Sequence, residues 1–193
     1  MWSIFALLVT LTAHALDTGS PAPDFTLQTA SGKEFKLSDA RMEVVVLEWL
    51  NHGCPFVRKH YDSGNMQKLQ AAWGAKKVKW YSVISSAPGK QGHVDTKGAL
   101  DDKAKNKSAA ADILLDPEGK VGMMYGAKTT PHMFIINKGV LAYQGAIDDK
   151  PSADPADIAD ARNYVNDALG GVVDGQKMKF AETTKAYGCG VKY

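Results

Sequence analysis

The chain has 193 residues, of which 45% are hydrophobic and 23% are charged, and its formal net charge is +2. This composition is that of an ordinary globular protein, and the length predicts one domain with a full hydrophobic core. The charge excess is small and no long Lys/Arg run is present, so we do not expect nucleic acid as a partner.

Residues 1–15 have the pattern of a secretory signal peptide. An apolar stretch at residues 4–12 is followed by an A-x-A cleavage pattern at residues 13–15. No Lys or Arg precedes the stretch, and the alternative is a buried first strand or helix. Because the stretch is too short to span a bilayer, we expect no stable membrane span. The mature chain, residues 16–193, is then expected in the periplasm or outside the cell.

The hydrophobic pattern alternates between strands and helices. Strands are predicted at residues 25–27, 34–37, 44–50, 78–84, 113–115, 133–136 and 140–143. Helices are predicted at residues 55–73 with a break at 63–64, at 97–109, around 121–125 (with Met124 in the core) and from 155 to a stop at 170–171. This order predicts an α/β fold: a central mixed sheet with helices on both faces and an N-terminal β-hairpin extension. Residues 171–193 form a C-terminal tail without a predicted element.

Cys54 carries the clearest chemical signal in the sequence. It follows the apolar strand at residues 44–50 through a turn at 51–53, and Pro55 begins the next helix. The N–H groups and the dipole at a helix N-terminus stabilise an anion, so this position favours a nucleophilic thiolate. The alternative is a buried, inert cysteine, although a turn at a strand end is usually accessible.

Three segments resemble the redoxin branch of the thioredoxin superfamily. They are Pro21-Ala22-Pro23-Asp24-Phe25-Thr26-Leu27, Gly53-Cys54-Pro55-Phe56 and Thr130-Pro131. That branch contains the AhpC/TSA peroxiredoxins and the TlpA-like thiol–disulfide proteins, and the resemblance covers essentially the whole mature chain. It implies a thioredoxin-like fold, an active cysteine at a helix start, which Cys54 matches, and redox activity without a cofactor.

The resemblance also implies roles for residues around the sulfur. A buried carboxylate six residues before the active cysteine matches Glu48, which would exchange a proton with Cys54. The alternative is a glutamate that faces solvent at the strand end. A cis-proline that faces the sulfur matches Pro131, and Thr130 before it is then a substrate contact.

The sequence departs from the family pattern at three positions. Val57 replaces the second cysteine of the usual CxxC pair, Asn51 stands where peroxiredoxins have a Thr, and Thr130 stands where they have an Arg. Asn51 and Pro55 remain candidate substrate contacts beside Cys54. These departures leave both a peroxide and a protein disulfide open as the substrate.

Cys189 is the only other cysteine in the chain. In one interpretation the pair cycles: Cys54 attacks an oxidant or a disulfide, and Cys189, on a mobile tail, resolves the intermediate. In the other interpretation a permanent disulfide tethers the tail.

The sequence therefore predicts an exported thiol–disulfide oxidoreductase or peroxiredoxin-like antioxidant. Its partners are a peroxide or a protein disulfide or thiol, and a reducing thioredoxin-like donor. The alternative is a non-enzymatic module that binds copper or client thiols.

His52 and His60 lie on either side of Cys54 and are residue types that bind metals, but their spacing is only weak evidence for a site, so no metal site is predicted. Arg58 is either a positive charge for the thiolate or a solvated helix residue.

Overall fold

The apolar run after residue 43 forms an interior strand of a seven-stranded mixed sheet in the computed structural model, which describes residues 16–175 and 182–193. Its strands are β1 (Thr26–Thr29), β2 (Glu34–Lys36), β3 (Val44–Trp49), β4 (Lys79–Ile84), β5 (Asp112–Leu115), β7 (His132–Asn137) and β8 (Val140–Gly145). They lie in the order β2-β1-β5-β4-β3-β7-β8 across the sheet. Strands β3, β4 and β5 run parallel, and the other pairings are antiparallel. The predicted signal peptide, residues 1–15, lies outside the described residues.

Five α-helices and two short 3-10 helices connect the strands in the described residues. The α-helices are α1 (Pro55–Asp62), α2 (Asn65–Ala75), α3 (Thr96–Lys105), α4 (Lys120–Tyr125) and α5 (Tyr164–Asp174). The 3-10 helices are Leu37–Ala40 and Pro155–Asp160. The predicted break between α1 and α2 is confirmed, because Gly64 adopts a left-handed conformation with φ of 74°.

The two faces of β3 enter two separate hydrophobic cores. Val46 packs with residues of α1, α2 and α5, whereas Leu47 and Trp49 pack with residues of α4 and with Phe25. Burial on both faces explains why β3 is a nearly continuous apolar run. The predicted α/β architecture, with helices on both faces and an N-terminal hairpin of β1 and β2, is confirmed.

The hairpin of β7 and β8 turns at Lys138 and Gly139. Both residues have a positive φ, 50° and 80°, as a two-residue type I′ turn requires. This hairpin places β7 beside β3, so that Trp49 pairs with His132 at the end of the sheet where the chain leaves β3.

The C-terminal part of the chain differs from the prediction. Instead of one helix stopped at residues 170–171, the 3-10 helix ends at Asp160, and α5 begins at Tyr164 after Asn163, whose side chain accepts from the N–H of Asn166. Helix α5 continues through Gly170 and Gly171 to Asp174 and ends at Gly175, which adopts a left-handed conformation with φ of 69°. Met124 was expected in the core and is instead 41% exposed.

Two further strands lie outside the main sheet. They are β6 (Thr129–Thr130) and β9 (Cys189–Gly190), which pair with one another in an antiparallel orientation. The predicted tail therefore contains a strand that returns to the body of the domain.

Candidate active site

The turn between β3 and α1 positions Cys54. The side-chain oxygen of Asn51 accepts from the N–H of Gly53 at 2.8 Å, and its amide donates to the carbonyl of Gln91 at 3.1 Å. Cys54 is the N-cap residue of α1, and Pro55 follows in its first turn. Asn51 is buried, so its visible role is to hold the turn. The substrate contacts predicted for Asn51 and Pro55 stay predictions.

The sulfur of Cys54 lies against the Thr130-Pro131 peptide, which is cis. The Cys54 thiol is 3.0 Å from the carbonyl oxygen of Thr130, to which it can donate, and its Sγ is 2.7 Å from Sγ of Cys189. Both cysteines are free thiols. The structure thus brings together four residues that the sequence placed at one site.

The electrostatics of the two thiols differ. Burial opposes ionisation of Cys54, but hydrogen bonds from the Cys189 thiol and from the N–H of Val57 outweigh it, so the pKa of Cys54 is lowered. Burial, the hydrogen bond to Cys54 and the charge on Cys54 raise the pKa of Cys189 to about 11. Of the two thiols, Cys54, at the helix N-terminus, is therefore the one that ionises more readily.

The last seven residues, 187–193, cover this sulfur, and we call them the C-terminal strap. Cys189 lies opposite Thr130 in the β6–β9 pair. Further along, the N–H of Val191 donates to the carbonyl of Lys128, and the hydroxyl of Tyr193 donates to the carbonyl of Ala127 at 2.7 Å. Cys54 has no exposed surface, so the accessibility expected for a turn at a strand end is not observed.

Tyr193 packs closely against two glycines, Gly119 and Gly122. A Cβ added at Gly119 or at Gly122 would come within 2.5 Å of the tyrosine ring or its hydroxyl. The strap is therefore fixed to the body of the domain on the far side of Cys189 as well.

Glu48 is buried beneath α1, so the alternative of a solvent-facing glutamate is wrong. Its carboxylate accepts from the Trp80 indole at 2.8 Å, from the Tyr61 hydroxyl at 3.1 Å and from the Gln70 amide at 3.1 Å. Burial raises the pKa of Glu48 to about 7, against the opposite effect of these hydrogen bonds. Tyr61 belongs to the helix that Cys54 begins, but among the described residues no hydrogen bond joins Glu48 or Tyr61 to either sulfur, so the structure does not bring Glu48 into contact with Cys54.

A second buried polar cluster was not predicted from the sequence. It consists of Lys59 and His60 in α1, Asp148 after β8, and Tyr187 in the strap. Burial lowers the pKa of His60 to about 4, although Asp148 acts in the opposite direction. No signal in the sequence identified the cluster, because a lysine such as Lys59 is expected at the surface and its partners lie about ninety or more positions away in the chain.

The residues considered for metal binding do not converge. No group of three or more His, Cys, Asp or Glu side chains able to hold a metal ion occurs in residues 16–175 and 182–193. His52 packs its ring edge-on against Tyr61 at 5.0 Å. Arg58 pairs with Asp62 on the exposed side of α1, which agrees with the interpretation of a solvated residue.

Comparison with known proteins identifies the family. Residues 18–144 match the AhpC/TSA family, while no curated protein gives a significant match. A hypothetical protein from Sinorhizobium meliloti has a similar structure, with a TM-score of 0.76, 20% identity, and coverage of 93% of this chain and 96% of that chain.

Two neighbours of assigned activity have part of the same fold. A protein assigned as the thiol:disulfide interchange protein DsbE from Chlorobium tepidum is 30% identical, with a TM-score of 0.53, over 67% of this chain and 84% of that chain. A secreted disulfide oxidoreductase from Mycobacterium tuberculosis is 18% identical, with a TM-score of 0.53, over 70% of this chain and 95% of that chain. Among the described residues no helix has the length and apolarity to cross a bilayer.

The family match covers well over half of the chain, and the fold of these neighbours agrees with the sheet described above. The chain therefore belongs to the AhpC/TSA family, among the thioredoxin-fold thiol:disulfide oxidoreductases, and is an oxidoreductase.

Proposed function

We propose that this protein is an exported oxidoreductase in which Cys54 is the nucleophile and Cys189 the resolving thiol. The observation that carries the proposal is the 2.7 Å approach of the two sulfurs at the N-terminus of α1. The lowered pKa of Cys54 supports its role as the attacking thiolate. Export of residues 16–193 after removal of a signal peptide rests on the N-terminal sequence pattern and on the secreted relative.

The first step depends on the oxidant. With a peroxide, the Cys54 thiolate attacks one oxygen, which leaves a sulfenic acid on Cys54 and, after uptake of one proton, an alcohol or water. With a disulfide, the thiolate attacks one sulfur and releases the other as a thiolate, so that a mixed disulfide forms on Cys54. In both cases Cys54 is oxidised and the substrate is reduced.

The second step is resolution by Cys189. It loses its proton, attacks the sulfur of Cys54, and displaces water from the sulfenic acid or a thiol from the mixed disulfide. The charge on Cys54 is one cause of the raised pKa of Cys189. Since that charge is gone once Cys54 has reacted, Cys189 becomes more acidic at the stage at which it must attack. A thioredoxin-like dithiol donor then reduces the Cys54–Cys189 bond.

Glu48 supplies the proton transfers in this proposal. A carboxyl group with a pKa of about 7 exchanges a proton readily at neutral pH. Tyr61, which donates to Glu48, lies in the helix headed by Cys54. Thr130 and Pro131 form the substrate side of the site, with Asn51 and Pro55 beside the sulfur.

The two cysteines offer a matched pair of test variants. Cys54→Ser is expected to abolish both hydrogen peroxide consumption and reduction of oxidised glutathione. Cys189→Ser is expected to react once at Cys54, giving a sulfenic acid or a glutathione adduct visible by mass spectrometry, and then to stop. Turnover by Cys54→Ser at the wild-type rate would exclude the mechanism. Copper binding without turnover by the wild type would instead support the binding-module alternative.

A further inference from the structure

An ion pair without solvent exposure lies next to the active site. The side chain of Lys59 has no exposed surface, and its Nζ is 3.4 Å from Oδ2 of Asp148, which is 2% exposed. Nζ also donates to the carbonyl of Lys150 at 2.8 Å. Lysine is almost never fully buried without a partner, and removing two charges from water offsets most of their attraction. A buried ion pair of this kind is therefore weak evidence that it stabilises the fold, which points to another role.

Tyr187 of the C-terminal strap completes the surroundings of this pair. Its hydroxyl donates to Oδ1 of Asp148 and lies 3.4 Å from Nε2 of His60. Its ring is 5.6 Å from Nζ of Lys59, within the range of a cation–π contact, and packs edge-on against Phe56 at 5.9 Å. Four side chains of the domain therefore hold one tyrosine of the strap.

The position of Tyr187 restricts the position of Cys189. Only Gly188 separates them, and two residues of extended chain span at most about 7 Å. Gly188 has a φ of 140°, and a Cβ at this position would lie 2.1 Å from the carbonyl oxygen of Thr130. The chain therefore runs directly from Tyr187, over the Thr130 peptide, to the sulfur that meets Cys54.

We propose that Tyr187, held by the buried Lys59–Asp148 pair, is the positioning residue that keeps Cys189 against Cys54. This inference rests on the proposed function, because it concerns the step in which Cys189 attacks Cys54 and displaces its leaving group. Within the part of the chain that the structure describes, Tyr187 makes no hydrogen bond to either sulfur. It acts by restricting the strap before reaction, which raises the effective concentration of the Cys189 thiol at the oxidised Cys54.

The test measures how readily the Cys54–Cys189 bond forms. Purified full-length protein is equilibrated with defined ratios of reduced and oxidised glutathione, and the bonded fraction is determined by alkylation and mass spectrometry. Tyr187→Phe retains the ring contacts and removes only the hydroxyl, which donates to a carboxylate. We expect the effective concentration of the Cys189 thiol at Cys54 to fall about tenfold in this variant, because hydrogen bonds to charged groups are among the stronger ones.

A matched control removes a tyrosine hydroxyl whose hydrogen bond goes to a residue outside the strap. Tyr125→Phe loses a 2.7 Å hydrogen bond to the carbonyl of Pro23 in the core on the other face of the sheet. It should lower thermal stability, although less than Tyr187→Phe does because its partner is a neutral carbonyl, while its glutathione equilibrium stays at the wild-type value. If a general loss of stability were the cause, the glutathione equilibrium of both variants would shift.

A second variant keeps the proposal testable if Tyr187→Phe folds poorly. Lys59→Met/Asp148→Leu removes both buried charges at similar volume and is also expected to lower the effective concentration about tenfold. If the wild type forms the bond and neither variant changes its equilibrium, the positioning role is wrong and the proposed function stands. If the wild type forms no Cys54–Cys189 bond at any glutathione ratio, the resolving role itself is wrong.

Discussion

Two buried carboxylates flank helix α1, and their surroundings differ in one respect. Glu48 accepts hydrogen bonds from three neutral donors, the Trp80 indole, the Tyr61 hydroxyl and the Gln70 amide. Asp148 faces the ammonium group of Lys59. Neutral donors favour the charged form of a carboxylate less than a cation does, so burial dominates at Glu48 and raises its pKa to about 7.

Because of this difference, the carboxylates of Glu48 and Asp148 are suited to different roles. A carboxyl group that titrates near neutral pH can give and accept a proton during a reaction. A carboxylate paired with a cation provides a fixed charge, against which another side chain can be held in place. In this protein Glu48 lies beneath the helix that Cys54 begins, and Asp148 accepts a hydrogen bond from the tyrosine of the C-terminal strap.

The largest expected effect comes from breaking the charged pair on one side only. Asp148→Asn leaves the ammonium group of Lys59 buried without its counter-charge, and the free energy of unfolding at pH 7 should fall by about 3–5 kcal/mol. Urea unfolding followed by circular dichroism measures the loss. Lys59→Met/Asp148→Leu, in which neither charge remains, should recover most of it. A loss below about 1 kcal/mol for Asp148→Asn would show that the pair is not buried in solution.

The next effect is a change in pH dependence at Glu48. The folded-state pKa is about 7 and the ordinary value is 4.5, so between these pH values the folded protein holds a proton that the unfolded chain has released. The contribution of Glu48 to stability therefore falls as the pH rises through this window, by about 3 kcal/mol in total at about 1.4 kcal/mol per pH unit.

Glu48→Gln removes this contribution to the pH dependence. The free energy of unfolding, measured in urea at pH 5 and at pH 8, should drop between the two by about 3 kcal/mol less in the variant than in the wild type. An identical drop in both proteins would mean that Glu48 does not titrate in this range.

The smallest effect is expected for an exposed ion pair on the same helix. Arg58 and Asp62 are separated by 3.1 Å, but their side chains are 64% and 50% exposed. Arg58→Ala should cost less than about 1 kcal/mol and should leave the pKa of Cys54, followed by thiolate absorbance, unchanged. A rise in that pKa would restore the idea that Arg58 supports the thiolate.

The sequence predicted those features that depend on local patterns. The apolar run before Cys54 predicted a strand buried on both faces, and Gly64 predicted the break between α1 and α2. The cis bond at Pro131 was predicted from the family resemblance. Cys54, Thr130 and Cys189 were all placed at the site before their contacts were known. These predictions depended on short segments or on a motif shared with other proteins.

The features that were missed depend on residues far apart in the chain. Lys59 meets Asp148 across 89 positions, and hydrophobic periodicity says nothing about such a pair. The strand at Cys189 has only two residues, and a glycine lies on each side of Cys189, so its pairing with Thr129–Thr130 has no sequence pattern. The end of α5 was misjudged because glycine often ends a helix, whereas Gly170 and Gly171 lie within this one and a later glycine, Gly175, ends it.

The burial of Cys54 beneath the C-terminal strap turns its alkylation into a measure of local opening. A thiol reagent reaches this sulfur only in molecules that have opened locally, and lifting of the strap is the opening we expect, since the closed form exposes none of the residue. The ratio of labelling rates in the native and unfolded protein gives the free energy of lifting. Compounds that bind the lifted form accelerate the labelling, and compounds that bind the closed form slow it, so ligands can be screened before the substrate is known.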